Sequence, residues 1–260
     1  MSVRALDRYR AILCDLDGCL ISGETVLPGA GQLVAAAGAR LFIVSNNSTD
    51  TSETLSARLG RLGLCVPPER LVLAGATALE MLAREMPGAR VALFAAPALC
   101  AYAEAAGLVL DEATPEVAVL ARDTGLTYPR LAGLVRHASA GVPLVVTNPD
   151  ASHPAADGAP VPETGALLHA VQACLPDLHV RIVGKPETTL IDEALRRAGA
   201  APGEALFIGD NPATDGAGAA RAGLDFALIR GPSANAAAGA EAPGTLLDLL
   251  AARGSLTLAG

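Results

Sequence analysis

Short apolar runs that alternate with helix-period patterns, and that end in acidic or hydroxyl residues, constrain this chain more than any other feature. That alternation is the signature of a parallel sheet in an α/β fold. The spacing predicts strands at Arg10–Cys14, Leu41–Val44 and Leu71–Ala74, with helices near Gly29–Ala39 and Thr51–Leu62. Within the second helix, Ser52, Leu55, Leu59 and Leu62 share one face. The same grammar resumes late, with a helix at Thr188–Ala198 and strands at Ala205–Gly209 and Leu224–Arg230. Between the halves lie separate runs at Val91–Phe94, Val117–Leu120 and Leu144–Val146. The expected organisation is a Rossmann-like core of residues 1–78 and 180–260, with an α/β domain of residues 79–179 inserted into it. An Ala/Gly/Pro-rich loop is expected at Gly231–Gly244, before a last helix near Leu246–Ala252.

Composition narrows the partners. Of 260 residues, 51% are apolar but only 3% aromatic, so the core must be built from Ala, Leu and Val, which suit close packing of helices on a sheet. A net charge of −8 without any basic run argues against nucleic acid as a partner. The cysteines Cys14, Cys19, Cys65, Cys100 and Cys174 are scattered and form no C-x-x-C pair, as expected of free thiols in a reducing compartment. The opening MSVRALDRYR has no hydrophobic signal core, and no stretch reaches the ~18 apolar residues of a membrane span. A cytoplasmic location, with no membrane partner, is the expectation. The histidines show no metal-ligand spacing, so zinc is not supported.

Four motifs carry chemistry. AILCDLDG runs an apolar strand into Asp15 and Asp17, placing two carboxylates at the strand's carboxyl end, with Gly18 permitting a sharp turn. An ordinary Asp-Gly turn accounts for much of the same pattern. Ser45, Asn46 and Asn47 follow the second strand and precede a helix, a setting that suits either a phosphate cradle or N-capping by Ser48 or Asp50. Lys185, in VGKP, is the only lysine among 19 basic residues. In so Arg-biased a chain, a lone lysine is what chance survival would leave, or else a position where a guanidinium does not replace a compact ammonium. LFIGDNPATDG repeats the strand-then-carboxylate logic with Asp210 and Asp215, and such carboxylates suit a hard cation such as Mg²⁺.

In this order, the motifs resemble the haloacid dehalogenase superfamily of phosphatases. They are similar in particular to the branch of nitrophenylphosphatases, phosphoglycolate phosphatases and pyridoxal-phosphate phosphatases, which carries a large cap between the second and third motifs. VTNPD at Val146–Asp150 and the P-x-T-G-A at Pro162–Ala166 match that branch's cap. The resemblance implies a small-molecule phosphatase with Asp15 as nucleophile and Asp17 as general acid and base. It implies Ser45 and the Asn46 and Asn47 amides on the phosphoryl group, and Lys185 to neutralise it. Mg²⁺ would be held by Asp15, the Asp17 carbonyl and Asp210, with Asp215 in or near the shell. His153 matches a substrate-contacting cap position, and Thr147, Asn148 and Asp150 join it as candidates for a contact loop. Relatives often pair through their caps, so a homodimer is implied as well. Cys19 and Asn211 depart from the branch's usual residues.

Carbon–phosphorus cleavage on the same core needs a cap lysine as Schiff base, and this insertion has none. A phospho-accepting signalling module with little turnover is the rival of a different class. The long insertion and the second Asp of DLDG favour an enzyme. The sequence leaves the phosphate ester open among sugar phosphates, nucleotides, phosphoglycolate and pyridoxal phosphate.

Overall fold

Strands that carry apolar residues on both faces need cover on both sides, and the runs at the start of this chain find it. The computed structural model describes residues 6–154, 159–229 and 244–251. The loop expected at 231–244 lies outside these residues apart from Gly244. Strand β1 (Ala11–Cys14) is buried at every position, as a strand central to a parallel sheet must be. A short antiparallel ribbon of β2 (Ile21–Ser22) and β3 (Thr25–Val26) follows, then helix α1 (Ala30–Ala37). Next come the fully buried β4 (Leu41–Ser45), helix α2 (Ser52–Arg61) and β5 (Leu71–Leu73).

Here the chain enters a second set of contacts. Helix α3 (Ala74–Glu85) leads to β6 (Arg90–Phe94), α4 (Pro97–Ala105), β7 (Val109–Leu110), β8 (Val117–Leu120), α5 (Tyr128–Ser139) and β9 (Leu144–Val146). A ribbon of β10 (Ser152–Pro154) and β11 (Pro160–Pro162) precedes α6 (Thr164–Cys174) and β12 (Arg181–Ile182). The chain then returns through α7 (Thr189–Ala198), β13 (Ala205–Gly209), α8 (Ala217–Ala222), β14 (Asp225–Leu228) and α9 (Leu246–Ala251). Two compact units result. The first takes its described residues from Met1–Ser45, Ser52–Val72 and Lys185–Gly260, the second from Asn46–Thr51 and Leu73–Gly184.

The first unit is built on a sheet of order β14-β13-β1-β4-β5, in which β14–β13, β13–β1 and β1–β4 pair in parallel. Strand order reverses beside β1, the topological switch at which open α/β sheets bind ligands. Helix α7 lays Leu190, Ile191, Ala194 and Leu195 against this sheet.

The second unit has its own parallel sheet, β12-β9-β8-β6-β7. One face shows the two-residue period of a strand: Ala92 and Phe94, Ala118 and Leu120, Leu144 and Val146. They pack with Leu134 of α5 and with Leu168 and Val171 of α6. Each large side chain so buried contributes roughly 1.5–3 kcal/mol. Arg130 covers the Phe94 ring and pairs with Asp123 at 2.5 Å and Glu112 at 2.7 Å. Among the described residues, no helix is long and apolar enough to cross a membrane. All five cysteines are unpaired.

Helix α7 also carries a buried charge. Glu193 accepts from Arg196 at 2.7 and 2.8 Å and from Arg197 Nε at 2.7 Å, while Arg197 donates onward to the Leu71 carbonyl at 3.3 Å. The Arg196 hydrogen bonds, helped by Arg197 and opposed by burial, push the Glu193 carboxyl down to about 2. A depressed folded-state pKa stabilises above the ordinary glutamate pKa, and that stability is lost as pH falls from there toward 2. Because Arg196 is largely solvated, the contribution is put at roughly 1–2 kcal/mol. Thermal melts should therefore show Glu193→Gln below the parent by about 3–6 °C at pH 7, with the gap closing between pH 4.5 and 2. A gap of constant size across that range would show that Glu193 acts through packing and not through charge.

Candidate active site

Register alone brings three of the motifs together. Cys14 of β1 lies opposite Ile208 of β13 and Ile43 of β4, so Asp15, Asp210 and Ser45 all emerge at the carboxyl ends of adjacent strands. The Asp15 amide still donates to the Ile208 carbonyl at 2.9 Å, which fixes where its side chain starts. Beyond it the chain turns sharply. The Leu16 carbonyl accepts from Leu20 at 2.9 Å, and the Gly18 amide donates to the Ile21 carbonyl at 2.8 Å. Gly18 has φ +86°, and a Cβ there would sit 2.1 Å from Asp210 Oδ2, so both backbone and space demand glycine. Asp15 ends up buried and Asp17 exposed.

Lys185 is the centre of this set. Only 2% exposed, its ammonium meets Asp15 Oδ1 at 2.6 Å, Asp215 Oδ1 at 2.7 Å and the Val44 carbonyl at 2.9 Å. Asp15 and the Val44 carbonyl accept hydrogen bonds from the ammonium, and Asp215 adds a buried ion pair. Its nitrogen also lies 5.4 Å from the centre of the Phe207 ring. Burial alone would lower the lysine's pKa, but the two carboxylates reverse the sign and hold it above its usual value. Burial raises Asp15 well above the ordinary carboxylate range, with Lys185 opposing and Asp215 reinforcing the shift. Asp210 is pushed up to about 6, first by burial and then by Asp215.

The second acidic loop explains itself through Gly209. A Cβ on that residue would lie 2.4 Å from Asp215 Oδ2, so glycine lets the carboxylate fold back over the strand end. Asp215 takes the Asn211 amide at 3.2 Å in addition to Lys185. The Asn211 side chain accepts from the Ala213 amide at 2.9 Å, and so shapes the turn.

Asp15, Cys19 and Asp210 each offer a ligand atom within 4.8 Å of the others. Two carboxylate oxygens, amid more buried negative charge than one lysine balances, suit a hard divalent cation. The residues present fit such an ion. Asp215 is not in this group of three, and its Oδ1 lies 2.7 Å from Lys185. The Cys19 thiol is in it, a position given little weight from sequence because only its residue type, and not its approach to Asp210, was visible there.

In the second unit, the Asn46 side chain donates to Asp150 Oδ2 at 3.0 Å, and the Asn47 side chain accepts from the amides of Thr49 and Asp50 at 3.0 and 2.8 Å. The Ser48 hydroxyl lies 3.2 Å from that of Thr164 and accepts from the Arg122 amide at 3.2 Å. Thr147 and Asn148 are buried. His153 Nδ1 lies 2.6 Å from Glu163 Oε1, with Arg122 Nε at 3.4 Å from the same oxygen. Burial holds Glu163 above its usual range, although Arg122 and the His153 contact oppose this.

Comparison with known proteins agrees with this geometry. Residues 12–109 match the family model of haloacid dehalogenase-like hydrolases, and residues 182–252 match that of HAD-hydrolase-like proteins. The chain is 28% identical to a dihydroxyacetone phosphatase of Corynebacterium glutamicum over 84% of its own length and 80% of the relative's. Among solved structures it resembles a 4-nitrophenylphosphatase from Thermotoga maritima, with TM-score 0.86 and 26% identity over 97% of this chain and 99% of that one. It also resembles a glycerol phosphate phosphatase of Mycobacterium tuberculosis in complex with magnesium, with TM-score 0.83 and 28% identity over 95% and 78% of the two chains. With both of its sheet-end carboxylate motifs inside those family matches and phosphatases aligned along most of its length, the chain belongs to the haloacid dehalogenase-like superfamily of phosphatases.

Proposed function

We propose that this chain is a Mg²⁺-dependent phosphatase that hydrolyses small phosphate monoesters through an aspartyl phosphate on Asp15. The observation that carries the reading is the Asp15 carboxylate at a strand end, 2.6 Å from a buried ammonium and grouped with Asp210. The similar proteins are named for phosphatase activity on small compounds, and one of them is in complex with magnesium.

In the proposed reaction, an Asp15 oxygen attacks phosphorus in line with the ester bond. An oxygen–phosphorus bond forms as the ester bond breaks, and Asp17 gives its proton to the departing oxygen. Asp17 then takes a proton from water, which attacks the same phosphorus and releases phosphate and the Asp15 carboxylate. The exposure of Asp17 suits a group that must exchange protons in every cycle. Lys185 fixes the rotamer of Asp15 and offsets the charge on the transferring group. Ser45 and the amides of Asn46 and Asn47 are assigned to the phosphoryl oxygens. Mg²⁺, held by Asp15, Asp210 and the Asp17 carbonyl, would neutralise charge on phosphate and nucleophile. Asp215 is assigned to holding Lys185.

Phosphate release from para-nitrophenyl phosphate should cease in Asp15→Asn and after chelation, and return on adding Mg²⁺. Undiminished release by Asp15→Asn would end the proposal, and a single equivalent of phosphate taken up and held would favour the phospho-accepting alternative. Asp17→Asn should slow turnover of an alkyl phosphate by ~10²–10⁴ but cost much less on nitrophenyl phosphate, whose leaving group needs no proton. Equal losses on both would remove Asp17 from the acid role.

Lys185→Met would leave Asp15 and Asp215 buried without their cation, and should cost about 3–5 kcal/mol as well as activity. Lys185→Arg should rescue neither, since a planar fork cannot reach three acceptors set around a point charge. Denaturation midpoints and phosphate release check both variants, and a fully active Lys185→Arg would refute the argument from ammonium geometry.

A further inference from the structure

The segment 46–51 leaves strand β4 directly after Ser45, yet its contacts belong to the second unit. Its carbonyls show how it is held. The Asn148 side-chain amide donates to the Asn46 carbonyl at 2.9 Å, and also approaches the Ser48 hydroxyl at 3.1 Å and the Thr164 hydroxyl at 3.2 Å. The Asn148 side-chain oxygen takes the Asp150 amide at 3.1 Å, which sets the orientation of the side chain. The next carbonyl, that of Asn47, accepts from the Gly75 amide at 3.1 Å. Asn148 is 1% exposed, and Ser48 and Thr164 are 3% and 0% exposed, so this network has no water to fall back on.

A peptide group is planar, and its C=O and the following N–H point in opposite directions. Whatever holds the Asn46 carbonyl therefore sets the direction of the Asn47 N–H. Among the hydrogen bonds described above, only that from Asn148 grips this peptide plane by its carbonyl. Thr164 shares the network but is reached through Ser48 and Asn148, one step removed from the plane.

We propose that Asn148 is a positioning residue for phosphoryl transfer, which by anchoring the Asn46 carbonyl holds the Asn47 N–H in the direction the transferring group requires. This rests on the phosphatase reading above, in which the amides of Asn46 and Asn47 bind phosphoryl oxygens. Asn148 touches neither substrate nor metal in this account. It shifts from a candidate of the contact loop to the anchor of a backbone donor. Because a misplaced donor is felt most as charge develops, its loss falls on kcat more than on KM.

The test uses the full chain with Mg²⁺ and para-nitrophenyl phosphate, comparing Asn148→Ala with Thr164→Val, which perturbs the same buried network without touching the Asn46 carbonyl. Asn148→Ala should lose about 10–100-fold in kcat with KM changed less than about threefold, while Thr164→Val stays within about threefold of the parent in kcat. Amide hydrogen exchange over residues 46–48 should quicken in Asn148→Ala and not in Thr164→Val. Equal kcat losses in the two variants, or a folded Asn148→Ala with unchanged kcat, would overturn the proposal while leaving the phosphatase reading intact. If the parent releases no phosphate from any monoester, that reading fails, and hydrogen exchange alone decides whether Asn148 orders the segment. Should Asn148→Ala not fold, Asn148→Ser, too short to reach the Asn46 carbonyl, is read in the same way.

Discussion

Burying an ammonium costs several kcal/mol of lost hydration, and Lys185 recovers this because Asp15 and the Val44 carbonyl accept its hydrogen bonds and Asp215 pairs with its charge. Much of the first unit can be read as the means of placing those acceptors. Parallel pairing of β13, β1 and β4 brings three strand ends level. Gly209 lets the Asp215 carboxylate lie on the end of β13. Burial on both faces of β1 leaves Asp15 little freedom. Remove the cation and the same burial turns against the fold, since burial already pushes Asp15 and Asp210 toward their neutral forms with it present. The ion pair is therefore weak evidence of stability and strong evidence of a preorganised charge pattern.

The second unit solves a different problem. Its apolar core is ordinary, made of alternating strand residues under two helices. What sets it apart is a dry polar cluster of Asn148, Ser48 and Thr164, in which Asn148 also holds the Asn46 carbonyl just after strand β4. Such clusters are useful only when satisfied throughout, because an unmet donor there costs about 1–3 kcal/mol. The motifs VTNPD and P-x-T-G-A supply Asn148 and Thr164 to it. Their spacing in sequence thus reflects one hydrogen-bond network and not two separate loops.

The parallel strands were legible because each is a continuous apolar run closed by a polar residue, and AILC, LFIVS and ALFIG read that way without help. Asp15, Asp210 and Lys185 were legible for a related reason, two by following such runs and one by being the chain's single lysine. Helices α4 and α6 carry too little polar contrast for periodicity to show, since PALCAYAEA and TGALLHAVQAC are apolar on most sides. Other features depend on distances through space. That Asp215 pairs with Lys185, with its carboxylate folded back over Gly209, is something no local pattern encodes. The Cys19 thiol reaches that group only because the turn after Asp17 folds back on Asp210. Residues 46–51 look like a helix-capping loop in sequence, and the Asn47 side chain does serve that turn. Their grip by Asn148, a hundred residues away in the chain, was out of reach.

Asp15 and Asp17 show how much one turn of backbone can separate two identical side chains. They stand two residues apart, yet the first is buried against an ammonium and the second is open to solvent. The proposed nucleophile gains from the first setting, where the contact with Lys185 fixes its rotamer. A group that must lose and regain a proton in each cycle gains from the second. If a side chain longer than hydrogen stood at residue 18, its Cβ would run into the Asp210 carboxylate. The proposed assignment of nucleophile and acid–base partner therefore rests on environment, one carboxylate buried against an ammonium and the other exposed.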